Sequence, residues 1–200
     1  MKKEIELNKI HNEDCLETMK RMPADFIDMT LTSPPYNTGN KSLGYHPNST
    51  TGDNFYDQYE DNLDDKEYRE FLFKVIKECL RVSRYVFWNM QVLSGNKDIF
   101  IDILSEFRGN IKDIFIWEKQ AVSQIVKGRM AKGYEFVLCM GKDNNMTFDY
   151  NNFPENNYVP NRQIWYKQGK EQNTEHHSTF PEEFAGYFIK NFTKESDLIY

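Results

Sequence analysis

The stretch that decides the fold is FIDMTLTSPPYN, residues 26–37. Its first half, Phe26–Leu31, is rich in apolar and β-branched residues and predicts a buried strand. Pro34 and Pro35 have no backbone N–H and a restricted φ, so they end that strand in a stiff turn. Open α/β sheets bind ligands at the carboxyl ends of their strands. The stretch therefore predicts a binding ledge at the end of a strand.

The residue types of this ledge suit a flat polar substrate. The proline carbonyls are preorganised acceptors, and Ser33 adds a hydroxyl that accepts and donates. Tyr36 offers an aromatic face on which a flat ring can stack. The alternative is a rigid strand-to-loop turn, a common use of Pro-Pro.

Length and composition predict one folded domain. The chain has 200 residues, of which 39% are hydrophobic, enough for a proper core. No run of about twenty apolar residues occurs, and residues 1–6 lack the apolar stretch of a signal peptide. We therefore expect a cytoplasmic protein without a membrane partner. Cys15, Cys79 and Cys139 are isolated from one another, so we expect neither a disulfide framework nor a metal site.

Charge is unevenly distributed along the chain. The net charge of -6 is unfavourable for DNA binding, because phosphate contacts normally supply much of the affinity. A local positive surplus nevertheless lies within residues 112–142. We interpret residues 118–133 as a candidate DNA or target-recognition loop that contacts DNA through Lys127, Arg129 and Lys132. The alternative is a solvated surface stretch.

Predicted strands and helices alternate, which favours a mostly parallel sheet covered on both faces. The clearest helix is Asp65–Val82, whose apolar residues fall on one face; Asp64 and Glu67 form a plausible capping pair at its start. The other predicted helices span residues 13–22 and 96–107. The predicted strands span residues 4–10, 26–31, 85–88, 111–117 and 134–140, and residues 143–163 are predicted to be an irregular loop.

The tetrapeptide Ser33–Tyr36 resembles the catalytic motif of DNA methyltransferases that modify the exocyclic amino group of cytosine or adenine. Further segments match in the order that this family uses when the catalytic motif precedes the cofactor motif: residues 12–16, 78–89, 116–119, 133–138 and 176–184. The resemblance covers nearly the whole chain. It implies an α/β, Rossmann-like fold, S-adenosylmethionine as cofactor and double-stranded DNA with a flipped target base as substrate.

The resemblance implies that residues 1–200 form one partial catalytic domain. It also implies which residues form the site. The implied catalytic residues are Ser33, Pro34, Pro35 and Tyr36. The implied cofactor-binding residues are Asp14, Thr32, His176, Ser178, Thr179, Phe180 and Pro181. The implied DNA-binding residues are Asn37, Lys127, Arg129 and Lys132.

Residues 176–184 also have a local interpretation. Thr179 and Glu182 have the spacing of a capping box, and Pro181 lies near the first helical position, so a helix is predicted to begin here. Its N-terminus would present free N–H groups to a carboxylate such as that of the cofactor. The alternative for His176 and its neighbour is a solvated pair near the cap.

The sequence departs from the family pattern after Asp197. In the family, the strand that begins there continues into an Asp-Pro-Phe and glycine-rich turn that holds much of the cofactor, whereas this sequence ends at Tyr200. The fold is therefore expected to be incomplete at the carboxyl end, with residues 197–200 frayed. A fragment, a split enzyme completed by a second polypeptide and a degenerate remnant remain open, as does a homodimer.

The resemblance implies methyl transfer to an exocyclic base amine of DNA. Such an amine is a poor nucleophile because its lone pair is delocalised into the ring, so a catalyst must accept hydrogen bonds from its N–H groups, as the Ser33 hydroxyl and the proline carbonyls can. Tyr36 would offer its face to a base that has been flipped out of the duplex. Serine in the first position of the motif, Ser33, resembles cytosine-N4 enzymes more than the aspartate usual in adenine-N6 enzymes, so cytosine is favoured and adenine stays open. The contrasting class is a non-catalytic DNA-binding or specificity subunit of a split or degenerate methyltransferase.

One expectation concerns the cofactor directly. We expect the 200-residue chain to bind S-adenosylmethionine weakly or not at all by itself, because the glycine-rich turn that lets the cofactor approach the backbone is missing from the sequence. Calorimetric titration measures this affinity. Micromolar binding at unit stoichiometry would show that a complete pocket exists without that turn.

Overall fold

The computed structural model describes residues 5–37, 62–93, 95–119, 133–142, 162–165 and 181–200. Strands and helices alternate along the chain, as predicted. In chain order they are α1 (Cys15–Met19), β1 (Ile27–Thr32), α2 (Asp65–Val82), β2 (Ser83–Met90), α3 (Lys97–Glu106), β3 (Ile111–Lys119), β4 (Tyr134–Gly141), β5 (Arg162–Trp165) and α4 (Glu182–Phe192).

The strands form one sheet in the order β1-β2-β4-β3-β5. β1 pairs parallel with β2, and β3 pairs parallel with β5. β4 lies antiparallel between β2 and β3. Of the strands that the structure describes, all but β4 therefore run in the same direction, which confirms a mostly parallel sheet.

Helices cover both faces of the sheet. α1, α2 and α3 contribute to the core on one face, where Tyr68, Leu72 and Ile76 are fully buried. α4 packs on the other face through Phe184, Phe188 and Phe192. This layering confirms the Rossmann-like α/β fold. None of the described helices is long and apolar enough to cross a bilayer.

Helix α2 has the predicted bounds because its start and its buried face are both encoded locally. The Asp64 carboxylate accepts a hydrogen bond from the Glu67 backbone N–H at 2.8 Å, which confirms the predicted capping pair. Arg81 lies in the last turn and donates to the carbonyls of Met19 and Met22. The helix is thereby linked to α1 and to the segment that precedes β1.

The amino-terminal predictions need correction. Residues 5–10 form no strand: Asn8 has a φ of 57°, which breaks an extended backbone, and Ile10 is 93% exposed. α1 begins at Cys15, after its N-cap Asp14, and ends at Met19. It is shorter than predicted: Lys20 is its C-cap, and Pro23 disfavours helical backbone at Met22, the last residue of the predicted helix.

The carboxyl-terminal predictions also need correction. Residues 198–200 are not frayed, because they run parallel to the outer edge of β1, whose unpaired backbone groups bind them. The Leu31 N–H donates to the Tyr200 carbonyl and the Tyr200 N–H to the Met29 carbonyl, both at 3.0 Å. Residues 162–165, partly assigned to an irregular loop, form β5.

The start of α4 differs from the predicted capping box. Its N-cap is Pro181, with φ -61° and ψ 139°, and its first residue is Glu182. The N-cap is therefore Pro181, whose ψ is extended, and not Thr179. Glu182 and Glu183 place negative charge in the first turn, where it interacts favourably with the positive end of the helix dipole.

Candidate active site

The predicted ledge lies at the carboxyl ends of β1 and β2, where the sheet also presents the end of β3 and the start of β4. The chain leaves β1 at Thr32 and passes through Ser33 to Asn37. Pro34 is buried, while Ser33, Pro35 and Tyr36 are half-buried. The four residues of the motif thus share one edge of the sheet, as predicted.

The Tyr36 hydroxyl lies at the centre of a polar cluster. It accepts a hydrogen bond from Ser33 Oγ at 3.2 Å. Its own proton faces two acceptors, Asn89 Oδ1 at 3.2 Å and Glu135 Oε2 at 3.0 Å. Burial, followed by the charge of Glu135, raises the pKa of Tyr36 far above its ordinary value. The hydroxyl is therefore a neutral donor throughout the physiological pH range.

Glu135 is the buried acid of this cluster. It is only 4% exposed, and its carboxylate pairs with the Lys119 ammonium, whose side chain is 27% exposed. The Lys119 Nζ also lies 4.8 Å from the centre of the Trp117 ring, within the range of a cation–π contact. Buried charged groups in proteins are paired and hydrogen-bonded. Glu135 is both.

Sequence reasoning did not identify Asn89, Lys119 and Glu135 as site residues. One signal was available for Glu135, which is a charged residue in the otherwise apolar strand β4. A charge inside a strand that is covered on both faces requires a partner. Nothing in the sequence identified that partner as Lys119 or connected either residue to Tyr36.

The ledge is fixed to α2 and to the segment before it. The Tyr68 hydroxyl donates to the Pro35 carbonyl at 2.6 Å. The Asn37 side-chain amide exchanges two hydrogen bonds with the Leu63 backbone, both at 2.8 Å. Asn37 has a φ of 52°, a conformation that asparagine tolerates better than most residues. Its predicted DNA contact stays a prediction.

These contacts distinguish the two proline carbonyls. The Pro35 carbonyl already accepts from Tyr68. No donor within the described parts of the chain reaches the Pro34 carbonyl. Ser33 Oγ and the Pro34 carbonyl oxygen are therefore the acceptors that this ledge best offers to an amine.

A cavity of about 210 Å³ opens at the same end of β1. Thr32, a predicted cofactor residue, lies on its largely apolar wall. Asp14 precedes the lining residue Cys15 and caps α1, its carboxylate accepting from the Leu16 N–H at 2.7 Å. The lining residues are Cys15, Met19, Thr30, Leu31, Thr32, Val75, Cys79 and Tyr200. The structure therefore places Asp14 and Thr32 beside one cavity.

Pro181, another predicted cofactor residue, is not brought to this cavity. It precedes α4, which packs on the opposite face of the sheet from α1 and α2. Seven further residues lie outside the described part of the chain, and their roles stay predictions: Lys127, Arg129, Lys132, His176, Ser178, Thr179 and Phe180.

Comparison with known proteins assigns the family. The N6/N4 methyltransferase family, described as DNA methylase, matches residues 27–200. The chain belongs to this family.

Curated relatives are similar to the chain over part of their own length. It is 27% identical over 146 residues to the DNA adenine methyltransferase YhdJ of Escherichia coli (strain K12), covering 72% of this chain and 45% of that protein. It is 28% identical over 211 residues to the type II methyltransferase M.HinfI of Haemophilus influenzae, and this match covers 96% of this chain and 58% of that protein. The chain thus spans about half the length of these relatives.

Solved structures share the fold. The PvuII DNA methyltransferase, described as cytosine-N4-specific, has a TM-score of 0.64 at 17% identity and is matched over 94% of this chain and 71% of its own. A DNA modification methylase from Thermus thermophilus, solved with S-adenosyl-L-methionine, has a TM-score of 0.55 at 19% identity. The match covers 93% of this chain and 74% of that chain. At these identities the likeness concerns the fold alone.

Proposed function

We propose that the chain is the catalytic part of an S-adenosylmethionine-dependent DNA methyltransferase that modifies an exocyclic base amine. The observation that carries this proposal is the Ser33–Tyr36 ledge, which presents a hydroxyl and a proline carbonyl as acceptors at the carboxyl end of β1. The substrate is double-stranded DNA with a flipped target base. Acting on DNA implies a cytoplasmic place of action.

The cavity beside β1 supports a role in holding the cofactor. Its largely apolar wall suits a purine ring, and Thr32 and the nearby Asp14 supply polar groups for the ribose or the methionine end. When bound, S-adenosylmethionine supplies an electrophilic methyl group on a sulfonium sulfur. A second polypeptide that carries a glycine-rich turn is the partner proposed for this site. A homodimer, whose two copies share this sequence, is the alternative assembly.

The chain itself contributes mainly positioning and hydrogen-bond acceptance. Ser33 Oγ and the Pro34 carbonyl accept hydrogen bonds from the base N–H groups, which localises the nitrogen lone pair and favours a tetrahedral nitrogen. Tyr36 offers its ring to the flipped base. With the cofactor bound, its methyl group would pass from the sulfonium sulfur to this nitrogen, the cofactor would leave as a neutral thioether, and the extra proton on the nitrogen would go to solvent.

Cytosine N4 is the proposed target, in preference to adenine N6. The preference rests on Ser33 in the first position of the motif, where adenine enzymes usually have aspartate. Proteins similar to this chain carry names of both kinds, since PvuII is described as cytosine-N4-specific and YhdJ as an adenine enzyme. Only the methylated product can decide between them.

A labelled-methyl transfer assay tests the proposal. DNA is incubated with methyl-labelled S-adenosylmethionine and the chain, alone and with a complementing chain that carries the glycine-rich turn, and is then digested to nucleosides. We expect label in N4-methylcytosine from the complemented assembly. Label in N6-methyladenine would correct the target base. DNA binding without label in any nucleoside would contradict catalysis and favour the non-catalytic subunit.

A further inference from the structure

We propose that Glu135 is a positioning residue that fixes the direction of the hydrogen bonds from Ser33 through Tyr36, so that Ser33 Oγ faces the base amine as an acceptor. This inference rests on the proposed function, because it assigns a task to residues around the same ledge. Glu135 does not touch the amine in this scheme; it acts through Tyr36.

The direction follows from a count of protons. An ionised carboxylate only accepts, so the Tyr36 hydroxyl donates to Glu135 Oε2 at 3.0 Å. Asn89 supports the same direction, because its Nδ2 donates to the Phe136 carbonyl at 3.2 Å and its Oδ1 therefore faces Tyr36 as a second acceptor. Once the Tyr36 proton is used on this side, its oxygen accepts from another donor.

Two donors face that oxygen: the Gln91 backbone N–H, whose hydrogen bond lowers the pKa of Tyr36, and the Ser33 hydroxyl. The Ser33 Oγ–H points to the Tyr36 oxygen at 3.2 Å, which leaves the Ser33 lone pairs to accept from a substrate. If the chain of bonds ran in the opposite direction, Ser33 would donate toward the substrate and would repel an amine N–H. The arrangement therefore makes Ser33 the acceptor that the proposed chemistry requires.

Lys119 keeps the direction fixed. A carboxyl group that carries a proton could donate to Tyr36 and reverse the bonds, whereas a carboxylate held against a cation only accepts. The Lys119 ammonium pairs with Glu135 from the end of β3, and the Lys119 N–H donates to the Gly133 carbonyl at 2.6 Å, just before β4. Pairing of the two strands thus holds the cation beside the acid.

The first variant is Glu135→Gln, which keeps the shape of the side chain, removes its charge and adds a donor. In the active assembly we expect kcat for methyl transfer to fall about tenfold, the scale of a hydrogen bond to a charged group, with KM for DNA unchanged. The exposed Glu70 of α2 provides the control, since Glu70→Gln makes the same chemical change away from the cluster and should leave kcat unchanged.

A double-mutant cycle with Tyr36→Phe shows whether Glu135 acts through the hydroxyl. Adding Glu135→Gln to Tyr36→Phe should lower kcat no further. The inference would be overturned if the two substitutions lowered kcat by fully additive amounts. It would also be overturned if Glu135→Gln kept the wild-type kcat in an assembly that methylates DNA. Either result would leave the proposed function intact.

Nuclear magnetic resonance of ¹³Cζ-labelled tyrosine tests the bond without any methylation. The Tyr36 resonance is identified by its loss in Tyr36→Phe. It should move in Glu135→Gln and stay in place in Glu70→Gln; an unmoved resonance overturns the inference whether or not the chain methylates DNA. If Glu135→Gln fails to fold, Lys119→Met combined with Glu135→Gln removes both charges together and should shift the same resonance.

Discussion

Replacing Phe188 with Ala is expected to lower the free energy of unfolding by about 3–5 kcal/mol, the usual cost of truncating a buried phenylalanine. Phe188 is 0% exposed. Its ring centre lies 4.9 Å from that of Phe87, 5.1 Å from that of Phe115 and 5.2 Å from that of Phe184. The substitution therefore opens a cavity between α4 and the sheet.

Urea unfolding followed by circular dichroism measures this loss. Lys190→Ala is the matched control on the same helix, since Lys190 is exposed; it should cost less than about 1 kcal/mol, the scale of a charge near a helix end. An unfolding midpoint for Phe188→Ala equal to that of the wild type would mean that α4 does not pack on the sheet.

Replacing Tyr36 with Ala is expected to weaken methyl transfer by roughly 5- to 150-fold. Loss of base stacking removes about 1–3 kcal/mol, and each 1.4 kcal/mol is about a factor of ten. The substitution also removes the hydroxyl that joins Ser33 to Glu135. The measurement is kcat/KM for DNA in the active assembly.

Tyr36→Phe separates the ring from the hydroxyl. It keeps the stacking face, so it should retain the affinity for DNA while losing part of kcat. If Tyr36→Ala methylates DNA as fast as the wild type, neither the ring nor the hydroxyl takes part. If both variants lose DNA affinity equally, the hydroxyl and not the ring faces the base.

Elements that are determined by neighbouring residues could be predicted from the sequence. α2 has the predicted bounds because Asp64 caps it and an apolar stripe repeats along its length. The ledge was found for the same reason, since Ser33–Tyr36 are consecutive and directly follow a strand. The strand assignments for β1, β2, β3 and β4 were correct to within a few residues.

Features that depend on distant partners could not be predicted. Asn89 and Glu135 lie 53 and 99 residues from Tyr36 in the sequence, and only the pairing of β2 with β4 brings them together. Residues 197–200 were expected to fray as a short strand stub, because the edge of β1, which orders residues 198–200, lies far away in the chain and was not recognised as a partner. The predicted strand at 4–10 was wrong over the described residues 5–10 because Asn8 has a φ of 57°, which breaks an extended backbone.

The central claim is that the Ser33–Tyr36 ledge accepts hydrogen bonds from a base amine during methyl transfer. The most direct test is the single-turnover rate of methyl transfer at saturating DNA for Ser33→Ala in the active assembly, with Ser33→Thr as a control that keeps the hydroxyl. Losing one hydrogen-bond acceptor costs about 1–3 kcal/mol. We therefore predict a rate roughly 5- to 150-fold below that of the wild type, with Ser33→Thr retaining most of it. A wild-type rate for Ser33→Ala would contradict the account.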